Sequence, residues 1–387
     1  FYTLIKPPGL LHKIQRLPNI MSSISVPQGQ WDLHRYPVRN NDPLRAWDAA
    51  DEFILQELAE RNFPLASQRI LIVNDTFGAL SCCLNRFTPT LISDSCLTHL
   101  GLKHNLKNNQ LPEESVTFLD SLTIPSGHFD IILIKVPKSL ALLEDQLIRL
   151  RAVMTEQTLV IGAAMIKHLS GSAIDLFEKI LGPTQTSLAR KKARLIFSQF
   201  DPQRDIAALA PAEIVLPEFQ LKLRQHPGVF SMNKLDQSHL LPKAQSIIDL
   251  GCGNGVLGVA IARQQPEAHL TFIDESYRAV DSARMNFEAL FGQRSARFEV
   301  ADCLSGIERE SAELILNNPP FHQQQVVGDQ IAWQMFRQSR QVLQRSGQLW
   351  VVGNRHLGYH TKLKRLFGNC KLMASTHKFV LLSATKS

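Results

Sequence analysis

The 387-residue chain carries one order of apolar runs and helical stretches twice, and this repetition limits its fold more than composition does. In the second half, Ser246–Leu250 is a strand-like run leading into a glycine loop, and Val256–Gln264 follows with helical spacing. His269–Asp274 is a second strand ending in an acid, and a helix runs on through Asn286 and Phe287. Ala296–Val300 and Ala312–Asn317 predict two more strands, Ile331–Leu343 a helix and Gly347–Val352 a fifth strand. Alternation at this length predicts a mostly parallel sheet with helices on both faces. The first half repeats the order: Arg69–Val73, the loop Asn74-Asp75-Thr76-Phe77-Gly78, Leu91-Ile92-Ser93-Asp94, Asp130–Ile134 and Leu159–Ile161. Gly78 and Gly255, Asp94 and Asp274, Lys135 and Asn318, and Gly182 and Gly368 lie 177, 180, 183 and 186 residues apart. So slow a drift predicts a duplicated domain. The competing reading is two unrelated parallel-sheet domains. The expected class is α/β, with two tandem Rossmann-like domains.

The length also favours two domains over one. They are expected at residues 21–199 and 245–387, joined by a linker and entry segment over 200–244 that is rich in Pro, Gln and charge. Residues 1–20 read as a tail that is not native, since they begin at Phe1 and lack an apolar signal core, and Met21 is the expected start. No apolar run approaches the ~20 residues of a membrane span. Six scattered cysteines without a C-x-x-C pair argue against a zinc site or a disulfide framework, and favour a reducing cytoplasm. A formal charge of +7 suits a polyanionic partner such as nucleic acid, and suits many plain enzymes too.

Between a strand and a helix, glycines let the backbone approach a ligand closely. Gly253-Asn254-Gly255-Val256-Leu257-Gly258 fits the G-x-G-x-x-G nucleotide fingerprint, and Asp274 lies 21 residues after Gly253, where a carboxylate suits ribose hydroxyls. NAD enzymes and S-adenosylmethionine enzymes share that pattern. The longer run Asp249-Leu250-Gly251-Cys252-Gly253-Asn254-Gly255 resembles the D-x-G-x-G-x-G form of many methyltransferases and favours S-adenosylmethionine. The expected cofactor contacts are Asp249, Gly251, Gly253, Gly255, Asp274 and Asp302, the last facing the adenine amino group or else capping a helix.

Asn318-Pro319-Pro320-Phe321 follows the fourth strand of the second half. A turn explains Asn and Pro there equally well in isolation. After a cofactor loop, the same residues make a clamp for a planar group bearing NH2. The Asn318 side-chain oxygen and the Pro319 carbonyl each accept one N–H. The prolines hold the two acceptors convergent, and Phe321 offers a face for stacking. Such an amine loses its proton after methylation, so His322 is not required as a base.

The order of glycine loop, Asp274, Asp302 and Asn318-Pro319-Pro320-Phe321-His322 resembles the two-domain ribosomal RNA guanine-N2 methyltransferases. Asn74-Asp75-Thr76-Phe77-Gly78-Ala79-Leu80, Ile134-Lys135-Val136-Pro137-Lys138 and Asn354-Arg355-His356-Leu357 extend the resemblance from about Trp31 to the C-terminus. It implies a cytoplasmic, S-adenosylmethionine-dependent enzyme acting on the N2 amine of one guanine in 23S rRNA, of the guanine 1835 type. The substrate is then naked rRNA or a ribosomal assembly intermediate, and the enzyme a monomer. The first domain is a degenerate copy: Asn74 and Thr76 replace Gly251 and Gly253, Lys135 replaces Asn318 and Lys138 replaces Phe321. Lys135, Lys138, Arg190, Lys191, Lys192 and Arg194 are the expected RNA backbone contacts, against a plain solvated face. The stretch 233–246, after Gly228-Val229-Phe230-Ser231, is shorter than the family pattern.

Three other functions fit parts of the chain. A small-subunit guanine-N2, adenine-N6 or protein glutamine methyltransferase shares the clamp. An NAD-dependent dehydrogenase explains only the glycine loop. An RNA-binding or assembly protein requires both intact motifs to be vestigial.

Overall fold

The computed structural model describes residues 22–39, 42–61, 67–217, 221–230, 241–320 and 325–387. Two seven-stranded sheets carry the fold. Across the first, the spatial order is Thr117–Asp120, Thr90–Ser93, Ile70–Val73, Ile131–Lys135, Leu159–Met165, Ala193–Gln199, Thr184–Thr186. Across the second it is Arg297–Val300, His269–Asp274, Ser246–Leu250, Ala312–Asn317, Leu343–Asn354, Phe379–Thr385, Lys371–Ser375. In each, the first five strands pair in parallel and the last two add an antiparallel edge. The two sheets have the same connectivity, as the repeated landmarks predicted.

Parallel strands joined by helical crossovers are covered on both faces, so they read as unbroken apolar runs. All of Ile70–Val73 is buried, and two apolar clusters flank each sheet. The edge strands were not expected from sequence. Thr184–Thr186 is polar throughout, and Lys371–Ser375 has only the three apolar residues Leu372-Met373-Ala374, none of them buried. The stretch 200–244 is more than a linker. Ala212–Leu216 and Leu221–Gln225 form a hairpin whose Leu216, Leu221 and Leu223 enter the core of the second sheet. Asn286 secures the hairpin by accepting from Arg224 N at 2.7 Å and donating to Arg224 O at 2.7 Å.

The two halves meet at equivalent corners. Cys96 N donates to Glu275 O at 2.9 Å and Tyr277 N donates to Asp94 O at 2.9 Å, about a bridge between Ser95 and Ser276. Exchanging equivalent residues between the halves, 181 positions apart as Ser95 and Ser276 are, turns the first bond into the second, which is the signature of an isologous, two-fold contact. Asp94 accepts from Ser276 Oγ at 2.5 Å and Arg278 N at 3.0 Å, so it supports the N-cap Ser276 and takes a first-turn N–H of the helix Tyr277–Phe291 of the other half. Arg278, buried with 2% exposure, pairs across the seam with Asp145 at 2.5 Å.

Candidate active site

Parallel strands end on one edge of their sheet, so the loops after them converge there. In the second sheet this edge collects the glycine loop, Asp274, Asp302 and Asn318. Gly251, Gly253 and Gly255 all have left-handed φ, at 71°, 54° and 80°, a region that side chains with a Cβ rarely occupy. At Gly253 a Cβ would stand 2.6 Å from Phe230 O, so the entry segment lies directly on the loop. Gly253 N is held by Asp274 Oδ2 at 3.0 Å, and Asp274 Oδ1 accepts from Ser276 N at 3.0 Å.

Asp249 is buried under this loop, and its Oδ2 accepts from Gly258 N at 2.8 Å. The residue therefore braces the loop against the following helix, while its Oδ1 has no hydrogen-bond partner among the described residues. Burial pushes the Asp249 carboxyl up to about 7. Glu275 is likewise raised to about 7, first by burial at the seam and then by the charges of Asp274 and Asp94. Asp302 is 9% exposed, accepts from Gln334 Nε2 at 3.0 Å, and is also raised by burial. Tyr36 of the first half stands near enough to Asp302 to feel its charge, which together with burial raises the phenol.

The clamp follows the strand Ala312–Asn317. Pro319 is buried, and Asn318 Oδ1 is a buried acceptor without a hydrogen-bond partner among the described residues. Asn317 is fully buried, with both side-chain amide atoms unpartnered among the described residues. Phe321 and His322 lie outside the described residues, as do Met21 and residues 231–240, which include Asp236. The spacing of the loop and the orphan acceptor at Asn318 fit a nucleoside cofactor and an amine-bearing substrate. Gly251, Gly253, Gly255, Asp274, Asp302, Asn318 and Pro319 thus lie along one edge of the second sheet.

In the first sheet the equivalent space is filled. Asn74 keeps the left-handed backbone of Gly251, at φ 65°. Its Nδ2 donates to Lys135 O at 3.0 Å and Gln146 Oε1 at 2.9 Å, and Gln146 Nε2 returns a bond of 2.8 Å to Asn74 Oδ1. The Lys135 ammonium is turned inward, 2.8 Å from Asp48 and 2.7 Å from Asp51. That pairing corrects its reading as an RNA contact, because the charge is already neutralised inside the fold. Arg190 lies 2.7 Å from Glu60 and Lys191 2.7 Å from Glu52, both on the surface. Lys138 and Lys192 are exposed and Arg194 is half-buried.

Sequence reasoning missed Tyr36, Glu275 and Gln334. Glu275 follows Asp274 directly, and an acidic pair at a strand end was the available signal. Tyr36 and Gln334 reach the site from segments far from its motifs.

Two family descriptions match the chain: "RLMG N-terminal domain" over residues 21–202 and "Methyltransferase small domain" over 220–383. Ribosomal RNA large subunit methyltransferase G of Stutzerimonas stutzeri (strain A1501) is 47% identical over 376 residues, covering 95% of this chain and all of that protein. The chain belongs to the ribosomal RNA large subunit methyltransferase G family. A second relative of that name, from Pseudomonas putida (strain GB-1), is 47% identical over the same share of both chains. The fold agrees with a solved T. thermophilus 16S rRNA N2 G1207 methyltransferase, described in complex with AdoMet and guanosine. The TM-score is 0.72 at 18% identity, covering 94% of this chain and 97% of that one. As a member of the family, the chain is a methyltransferase with S-adenosylmethionine as its cofactor.

Proposed function

We propose that the protein methylates the exocyclic N2 amine of a guanine in 23S rRNA, of the guanine 1835 type. The observation that carries this reading is Asn318 Oδ1, a buried acceptor without a hydrogen-bond partner among the described residues, at the strand end beside the glycine loop. A buried polar atom left unpaired costs ~1–3 kcal/mol, which a substrate N–H would recover. S-adenosylmethionine supplies an electrophilic methyl carbon on its sulfonium. Asn318 Oδ1 and Pro319 O take the two N–H groups of the amine and turn its lone pair from the aromatic ring toward that carbon. The protein thus supplies alignment, the main requirement when the leaving group is good. Proton loss follows methylation, so no strong base is needed beside Asn318.

Replacing Asn318 with Ala should lower turnover by ~100-fold or more, with cofactor affinity nearly unchanged. Turnover within a few-fold of the unaltered protein would overturn the role given to Asn318. Mass mapping of modified nucleosides in 23S and 16S rRNA, from cells with and without the protein, tests the substrate. The expected outcome is one missing N2-methylguanine in 23S rRNA. A loss in 16S rRNA, or at an adenine or a protein glutamine, would replace the reading with the corresponding alternative.

A further inference from the structure

Beyond Asp329 the chain contains ten Lys and Arg and no Asp or Glu. The rest carries the other 32 basic residues against all 35 acids, so the net +7 of the protein resides entirely in this last segment. The segment builds the far side of the catalytic sheet. Its strand Leu343–Asn354 pairs in parallel with the clamp strand, with Val351 opposite Asn317. It continues three residues past that pair, which at ~3.3 Å per residue raises it about 10 Å above Asn317. The next strand begins at the same height, with Phe379 opposite Asn354. Arg355 fastens the two, donating from N to Lys378 O at 3.0 Å and from Nη2 to Thr376 O at 2.8 Å.

The top of this wall exposes Arg355, His356, His377 and Lys378, and Phe379 with 42% exposure. In the first half, by contrast, Lys135, Arg190 and Lys191 each have a carboxylate partner. The geometry points to this wall as the surface that docks the RNA strand flanking the target base. Arg355 and Lys378 meet phosphates, the backbone contacts that give affinity and fix the strand's position. The assignment rests on the rRNA reading above and moves the main docking surface from the first domain to the catalytic one.

The test uses the full chain with deproteinised 23S rRNA from cells lacking the enzyme, titrated over a range of salt. Losing two phosphate contacts in R355Q/K378Q should weaken binding about tenfold near 0.15 M salt and reduce the log–log salt slope by roughly 1.4. KM for RNA should rise while kcat and cofactor affinity stay within about twofold. R355K should keep the slope, which separates charge from the bracing of the hairpin, and K378Q alone gives about half the effect should the double variant misfold. K138Q/K192Q in the first domain should change the slope far less. Unchanged affinity and slope in R355Q/K378Q, no salt-dependent binding by the unaltered protein, or a larger effect from K138Q/K192Q would each overturn the assignment. Because binding is read without methyl transfer, a protein that binds through the wall yet leaves rRNA unmethylated would refute the rRNA reading and keep the surface.

Discussion

At the residue scale, the cofactor edge concentrates carboxyls that the fold holds away from water. Asp249 and Glu275 are both raised to about 7, against an unfolded value near 4. Between those pH values the native protein binds more protons than the unfolded chain, so stability falls as pH rises through that window. The cofactor-free protein should therefore lose thermal stability from pH 5 to pH 8. Asp249→Asn keeps an acceptor for Gly258 N and removes the titration, so its melting temperature should gain on the unaltered protein as pH rises. A constant difference between the two at pH 5 and pH 8 would contradict the assignment. The same residue shows what sequence pattern leaves open. The spacing marked Asp249 as part of the seat, but the structure turns its Oδ2 to Gly258 N.

At the element scale, the glycine-loop helix packs with no spare room. A Cβ at Gly258 would stand 2.2 Å from Phe272 Cε1 and 3.0 Å from Asp249 Oδ2. Phe272 is itself fixed, stacked on Phe298 at 5.1 Å and edge-on to Phe287 at 5.6 Å. Gly258→Ala should cost about 1–3 kcal/mol in chemical denaturation, and adding Phe272→Leu should recover part of it. A single mutant as stable as the unaltered protein would show that the helix shifts freely. The third glycine of the fingerprint is thus a packing residue between helix and strand, whereas Gly253 is one of close approach beside Phe230 O. Both roles were legible as a spacing, and only the neighbours separate them.

At the scale of the whole molecule, the seam joins two copies of one fold through equivalent corners. In the strand registers Ser93 stands where Asp274 stands in the second half, and Asp94 is the counterpart of Glu275, each accepting from a serine of the other half. Asp94→Ala should cost ~1 kcal/mol, the usual worth of a helix cap. Arg278 and Asp145 are the larger lever, being buried across the seam. Asp145→Ala leaves the Arg278 charge uncompensated and should destabilise by about 3–5 kcal/mol, while Arg278→Met with Asp145→Leu should be far milder. Calorimetry of Asp145→Ala is expected to split one unfolding transition into two as the halves uncouple. A single transition at an unchanged temperature would remove the pair from the seam's energetics.

The sequence by itself determined the α/β class and the duplication, and it marked the glycine loop and Asn318-Pro319 as the residues on which the proposed function rests. Those features are written in periodicity and short spacing, which act within one element and its next loop. Tertiary structure alone decided which charges are free. Lys135 meets Asp48 across 87 residues, Arg190 meets Glu60 across 130, and Ser276 meets Asp94 across 182. A cation is available to a partner only if no carboxylate reaches it in the fold, and no local pattern records a partner that distant.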